Sequence, residues 1–182
     1  MKQTERIHHR CRCLDRNFAF EEWVAYLREN PSGGAVLTVG TFQFNICDVC
    51  LTPNQPVRIE KNTCKLEIET AQSLNGRWDY GIDLVLHTES SSHGARFVSE
   101  PDQGYQSEKE AIYDALLYSE ERTVRKIKEL EQRGDIPSDD YDEESERQPK
   151  TSAVISSMRV FLKEIQKQKQ HYDPKQLSLF DL

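Results

Sequence analysis

No run of apolar residues in this 182-residue chain approaches the roughly 20 that a helix needs to cross a bilayer. Its opening, Met1-Lys2-Gln3-Thr4-Glu5-Arg6, is followed by no apolar segment, so no secretory signal is expected and the protein is read as cytoplasmic. Cysteine is scarce and odd in number, five in all. In a cytosolic chain that points to free thiols or metal ligands and away from a disulfide framework. Positive charge is in the minority: 24 Lys and Arg against 31 Asp and Glu leave a net charge of −7. That argues against a general nucleic-acid coat or a binder of anionic membranes, both of which need a basic surface, and leaves room for a local basic patch at most. No glycine loop of either common phosphate-binding type is present, nor a Gly-x-Ser-x-Gly nucleophile elbow, nor an internal repeat. Hydrophobic residues make up only 36% and charged residues 30%, so part of the chain is expected to stay unpacked.

What is present reads as alternating segments of helix and strand. Residues 1–16 are basic and polar. Asn17 can cap a helix over about 18–29, in which Phe20, Trp23, Val24 and Leu27 form one stripe, ended by Asn30-Pro31-Ser32-Gly33-Gly34. From Ala35 to Ile46 the pattern is that of a strand, with Phe42, Phe44 and Ile46 alternating with polar residues. Val57 and Ile59, then Leu66 and Ile68, predict a hairpin across Lys61-Asn62-Thr63, with Lys65, Glu67 and Glu69 toward water. After Asn75-Gly76, residues 77–88 alternate most clearly of all, placing Trp78, Tyr80, Ile82, Leu84 and Leu86 on one face. Residues 89–106, rich in Ser, Gly and Pro, read as a loop.

Ser107-Glu108-Lys109-Glu110 is a capping box that predicts a long helix, with Ala111, Ile112, Ala115, Leu116, Val124, Ile127 and Leu130 as its apolar face and Gly134 as its stop. A second helix is expected over about 152–170, its stripe made by Val154 or Ile155, Met158, Phe161, Leu162 and Ile165. So apolar a stripe excludes a solitary helix and leaves docking on the domain or pairing with another copy, of which docking is favoured. The organisation expected is an α+β domain over 1–134, an acidic disordered linker over 135–150, an amphipathic helix over 151–171 and a tail over 172–182. The fold class is α+β: an antiparallel sheet of about four strands packed by helices, with a C-terminal helix and a flexible tail.

Three groups of residues can carry chemistry. Cys47-x-x-Cys50 has the bite that lets two thiolates reach one tetrahedral Zn²⁺, and Cys11, Cys13, His8, His9 or Cys64 can supply further ligands. No second Cys-x-x-Cys exists, and Leu51 stands where a zinc knuckle often has glycine; the competing reading packs these cysteines as small apolar residues. Asp79, Asp83 and His87 share the polar face of the 77–88 strand, a set that can bind Mg²⁺ in a nuclease and that any solvated sheet face also shows. Ser90, Ser91, Ser92 and His93 place hydroxyls beside a base, yet without an elbow or an identifiable acid.

The stretch that stands apart is Gln176-Leu177-Ser178-Leu179-Phe180, preceded by Asp173-Pro174, a helix-breaking pair. Bulky apolar residues there are costly in water unless something covers them. This pentapeptide resembles the motif with which bacterial polymerases, repair proteins and clamp loaders bind the DNA sliding clamp, and it matches that consensus at all five positions. The resemblance covers five residues and identifies a docking peptide. It implies that Gln176 makes polar contacts at the edge of a groove, that Leu177 and Ser178 follow, and that Leu179 and Phe180 fill an apolar pocket. The function expected is therefore a non-enzymatic accessory protein of DNA replication, repair or mobile-element or phage maintenance, whose partner is the bacterial sliding clamp and whose contact with DNA is indirect. The alternatives are a clamp-tethered DNA-processing enzyme such as a metal-dependent nuclease, or an acidic inhibitor of a DNA-binding protein. No cofactor is expected beyond structural zinc at Cys47, Cys50, Cys11 and Cys13.

Overall fold

A computed structural model describes residues 37–45, 47–98, 102–133 and 151–174. The helix expected near 18–29, the acidic stretch 135–150 and the segment 175–182 lie outside the described residues. The fold is α+β. Two short strands, β1 (Leu37–Val39) and β2 (Phe42–Phe44), form a hairpin. Four longer ones, β3 (Asn54–Lys61), β4 (Cys64–Gln72), β5 (Trp78–Leu86) and β6 (Glu89–His93), form an antiparallel meander in the order β3-β4-β5-β6. Two helices follow, α1 (Glu108–Arg133) and α2 (Thr151–His171).

Alternation builds the sheet's inner face. Val57 and Ile59 on β3, Cys64, Leu66 and Ile68 on β4, and Ile82, Leu84 and Leu86 on β5 are all buried in one cluster. Ile112, Ala115, Leu116 and Ile127 of α1 and Val154, Met158, Phe161 and Ile165 of α2 close over them. Burying each large aliphatic or aromatic side chain of this kind contributes about 1.5–3 kcal/mol. The helices run antiparallel, since Arg159 bonds Glu131 at 2.7 Å while Gln166, further along α2, bonds Glu120 at 2.9 Å. Helix α2 is thus docked on the sheet and α1, as its stripe predicted. Along α1 the buried face is shifted slightly from expectation: Thr123 is buried where Val124 is only half-buried. Thr123 donates its hydroxyl to the Ser119 carbonyl at 2.7 Å, which satisfies it inside the core.

The outer face of the sheet is polar. Lys65 bonds Asp83 at 3.0 Å and Glu67 at 2.8 Å, and Arg58 meets Glu67 at 3.2 Å. A second, smaller cluster lies on that side at one end: Phe42, Phe44, Cys50, Ala71 and Ala95, with Ala71 leaving β4 opposite to Thr70. Trp78 meets Phe42 edge-on there, 5.9 Å between ring centroids.

Three expectations are corrected. Residues 35–46 are not one strand: Gly40, with φ of 57°, turns the chain back, and Val39 pairs with Phe42. The expected loop at 89–106 begins with a strand, because the turn at His87-Thr88 returns residues 89–93 alongside β5, with Leu86 opposite Glu89. His87 consequently leaves the strand face assigned to it and sits in that turn with φ of 56°. The sheet therefore has four strands, but its fourth member is β6 and the β1–β2 pair is separate from it.

Candidate functional site

The turn at Cys47-Asp48-Val49-Cys50 is organised by Asn45. Its side-chain oxygen accepts the N–H groups of Cys47 at 2.9 Å and Val49 at 3.0 Å, an Asx turn. The turn is stitched to residues 95–97: Cys50 donates its N–H to the Ala95 carbonyl at 2.8 Å, and Phe97 donates to the Asp48 carbonyl at 2.7 Å. Cys50 is buried, and burial pushes its thiol up from the ordinary value despite N–H groups of Thr52 and Gln43 aimed at it. Cys64 is on β4 in the main core, in a different cluster from Cys50, and its thiol is likewise pushed up by burial. The structure therefore does not bring Cys64 to the Cys47–Cys50 turn. Cys11 and Cys13, the other ligands proposed with Cys47 and Cys50, lie outside the described residues. Among the described residues no group of three or more His, Cys, Asp or Glu gathers as a metal ion needs.

The carboxylates of β5 are likewise kept apart. Four residues of strand separate Asp79 from Asp83 by about 13 Å. Asp83 faces Lys65, as above. Asp79 accepts the N–H of Arg96 at 2.7 Å, and burial raises its carboxyl above the usual value, partly offset by that bond and by the Tyr80 N–H. Asp79 lies on a cleft of about 560 Å³, with Asp48, Arg96, Phe97, Gln103 and Gly104 among the lining residues. Gly104, with φ of 70°, lets the next residue pair with β5: Tyr105 and Trp78 exchange backbone hydrogen bonds at 2.8 and 2.9 Å. A Cβ at Gly104 would come within 2.7 Å of the Trp78 carbonyl oxygen.

Sequence reasoning missed a cluster of rings beside α1. Tyr105 donates its hydroxyl to Asp114 at 2.6 Å, and the Tyr80 ring lies 5.9 Å from that of Tyr105 and 5.6 Å from that of His93. Burial first, then the Asp114 charge, pushes Tyr80 up to about 12 and raises Tyr105 as well. Both phenols stay protonated at neutral pH and act as donors, so the cluster ties β5 and β6 to the first turns of α1. The serines of the 90–93 stretch line the edge strand β6, with His93 held on Tyr80.

Residues 176–180, the predicted docking peptide of Gln176, Leu177, Ser178, Leu179 and Phe180, lie outside the described residues. The chain that leads to them is anchored. Tyr172 donates its N–H to the Gln168 carbonyl at 3.1 Å and packs on the main core. Burial, then the nearby Glu108, raises its phenol. Glu108 itself accepts from Thr70 at 2.6 Å and Asn54 at 2.9 Å. The described chain thus ends beside the first turn of α1. No described helix is long and apolar enough to cross a membrane. The chain matches no family model, no curated protein and no solved structure.

Proposed function

We propose that this protein is a non-enzymatic accessory factor of DNA replication, repair or mobile-element or phage maintenance that docks on the bacterial sliding clamp through Gln176, Leu177, Ser178, Leu179 and Phe180. The observation that carries this reading is the five-position match of Gln-Leu-Ser-Leu-Phe to the clamp-binding consensus. The end of α2 at His171, five residues before Gln176, and the packing of Tyr172 on the main core support it, because the peptide follows directly in sequence on a folded element. A short tether of this kind acts by effective concentration: a modest peptide contact keeps the folded domain at the clamp.

The test is a titration of a synthetic peptide of residues 172–182 into the host's purified clamp, followed by calorimetry. Saturable binding with an affinity on the order of micromolar is expected. Absence of binding at hundreds of micromolar would remove the reading.

A further inference from the structure

Helix α2 carries a row of basic residues that the rest of this acidic chain does not prepare one to expect. Arg159, Lys163, Lys167 and His171 follow one another at four-residue intervals, and all four are exposed. With a rise of 1.5 Å per residue the row spans about 18 Å, winding by about 40° at each step. Across Thr151–His171 there are four Lys and Arg against one carboxylate, Glu164, for a net of +3, so the other residues of the chain sum to −10. Helix α1 offers the contrast. Its exposed side mixes signs, with Glu121, Arg125, Lys128 and Glu131 all exposed and Arg125 paired to Glu129 at 3.8 Å. On α2, Arg159 and Lys169 are paired with Glu131 and Glu120. Lys163 and Lys167, in the middle of the row, have no ion-pair partner among the described residues.

We infer that this row is a contact surface for the phosphate backbone of duplex DNA. Extending the clamp-docked reading, it makes the expected indirect contact with DNA a direct one: Lys167 lies nine residues before Gln176, so a docked peptide would hold α2 near any duplex at the clamp. The face is suited to phosphates in two ways. Lys163 and Lys167 are exposed cations one helical turn apart, and the exposed Gln170 adds a donor of the kind that commonly contacts phosphate oxygens. It is not suited to a lipid surface, because an interfacial helix must bury its apolar face in the bilayer, and the apolar face of α2 is covered by the sheet and α1. Contacts this few give weak, sequence-independent binding that falls with salt. Tethering offsets such weakness.

The experiment measures binding of the full chain to a labelled mixed-sequence DNA duplex by fluorescence anisotropy over a salt series, with no clamp present. Binding at low salt is expected, with a slope of log affinity against log salt between about −2 and −3. Replacing both lysines, Lys163→Gln with Lys167→Gln, should reduce the magnitude of that slope by about 2. The reversal Lys163→Glu with Lys167→Glu should weaken binding at least about tenfold at low salt without changing the melting temperature, whereas Lys128→Glu on α1 should change it by no more than about twofold. Leu179→Ala with Phe180→Ala should leave duplex binding intact, so failure of the clamp reading and failure of this one are seen in different measurements. No duplex binding at low salt, full binding by the double reversal, or an equal loss from Lys128→Glu would overturn the inference. So would tighter binding to anionic lipid vesicles or to duplex RNA than to the DNA.

Discussion

Glu120 of α1 is paired with Lys169 in the last turn of α2, and the same carboxylate accepts from Gln166 at 2.9 Å. The pair joins two helices that the chain separates by 17 residues, and it converts the polar end of α2 from a solvated stretch into part of the interface. Burial would push the Glu120 carboxyl up, but the bonds from Lys169 and Gln166 outweigh it and hold the group below its ordinary 4.5. The Lys126 bond has the same effect on Glu89. A carboxyl whose folded pKa is lowered contributes stability above its unfolded value, and that stability is lost as pH falls through the folded one. The protein should therefore lose melting temperature as pH drops below 4.5. Glu120→Gln should be less stable than the parent at neutral pH and should show a shallower acid decline. Thermal melts of both proteins between about pH 7 and pH 3 would check this; parallel curves would show that the pair contributes nothing.

The start of α1 offers a second measurement. Ser107 Oγ accepts the Glu110 N–H at 3.2 Å, while Glu110 Oε2 accepts the N–H groups of Ser107 at 3.3 Å and Gln106 at 2.9 Å. Ser107→Ala should cost about 1 kcal/mol, and Ser107→Asp should recover most of it. Urea unfolding of the three proteins reads the difference directly. An alanine variant as stable as the parent would mean that water replaces the cap.

That capping box was visible in the sequence because its two residues act locally, and the same is true of the alternation along β4 and β5. The docking of α2 was legible too, since a stripe holding Met158, Phe161 and Ile165 has to be covered. The turns were harder. Gly40-Thr41, Asn62-Thr63 and His87-Thr88 each close a two-residue hairpin with positive φ on the first residue. Only Asn62 sat between segments whose alternation announced a hairpin. His87 pays a steric penalty in that conformation, which no local signal betrays. Strand β6 was missed because Glu89-Ser90-Ser91-Ser92-His93 has no apolar alternation; its place is set by the hydrogen bonds of β5 and by Lys126, which reaches Glu89 from α1. The turn at Cys47 was read for its thiols, whereas Asn45 is the residue that shapes it.

Gly81 carries a prediction that only the packing reveals. Opposite Glu69 in the middle of the sheet, it is buried where the chain from β6 crosses it. A Cβ at this position would lie 2.4 Å from the Ala95 nitrogen and 2.7 Å from the Gly94 carbonyl carbon. Both are backbone atoms and cannot rotate away. Gly81→Ala should destabilise the protein by about 1–3 kcal/mol, despite the better strand propensity of alanine. Gly76→Ala, at a site with φ of 78° and no atom within 4 Å, isolates the cost of positive φ without a clash. Chemical denaturation should rank Gly81→Ala as the worse of the two, and the reverse order would place the strain in the turn.

Phe161 and Phe180 allow the clamp reading to be tested by contrast. Phe161 is fully buried between the sheet and the helices, and Phe161→Ala should cost about 3–5 kcal/mol of stability. Leu179 and Phe180 are assigned to a partner's pocket, where burial contributes about 1.5–3 kcal/mol each. Ordering the peptide and losing translational freedom offset much of that, which leaves an affinity near micromolar, about −8 kcal/mol. Leu179→Ala with Phe180→Ala in the full chain should therefore abolish clamp binding and leave the melting temperature where it was. Gln176→Ala should weaken binding less, because an edge contact in water is partly replaced by solvent. Asp181 and Leu182 follow the motif, and their replacement by alanine should change the affinity little. A surface-bound clamp and a thermal melt on the same variants supply both readings. A double variant that melts several degrees lower than the parent would assign Leu179 and Phe180 to this protein's own core, and clamp docking through them would then have to be given up.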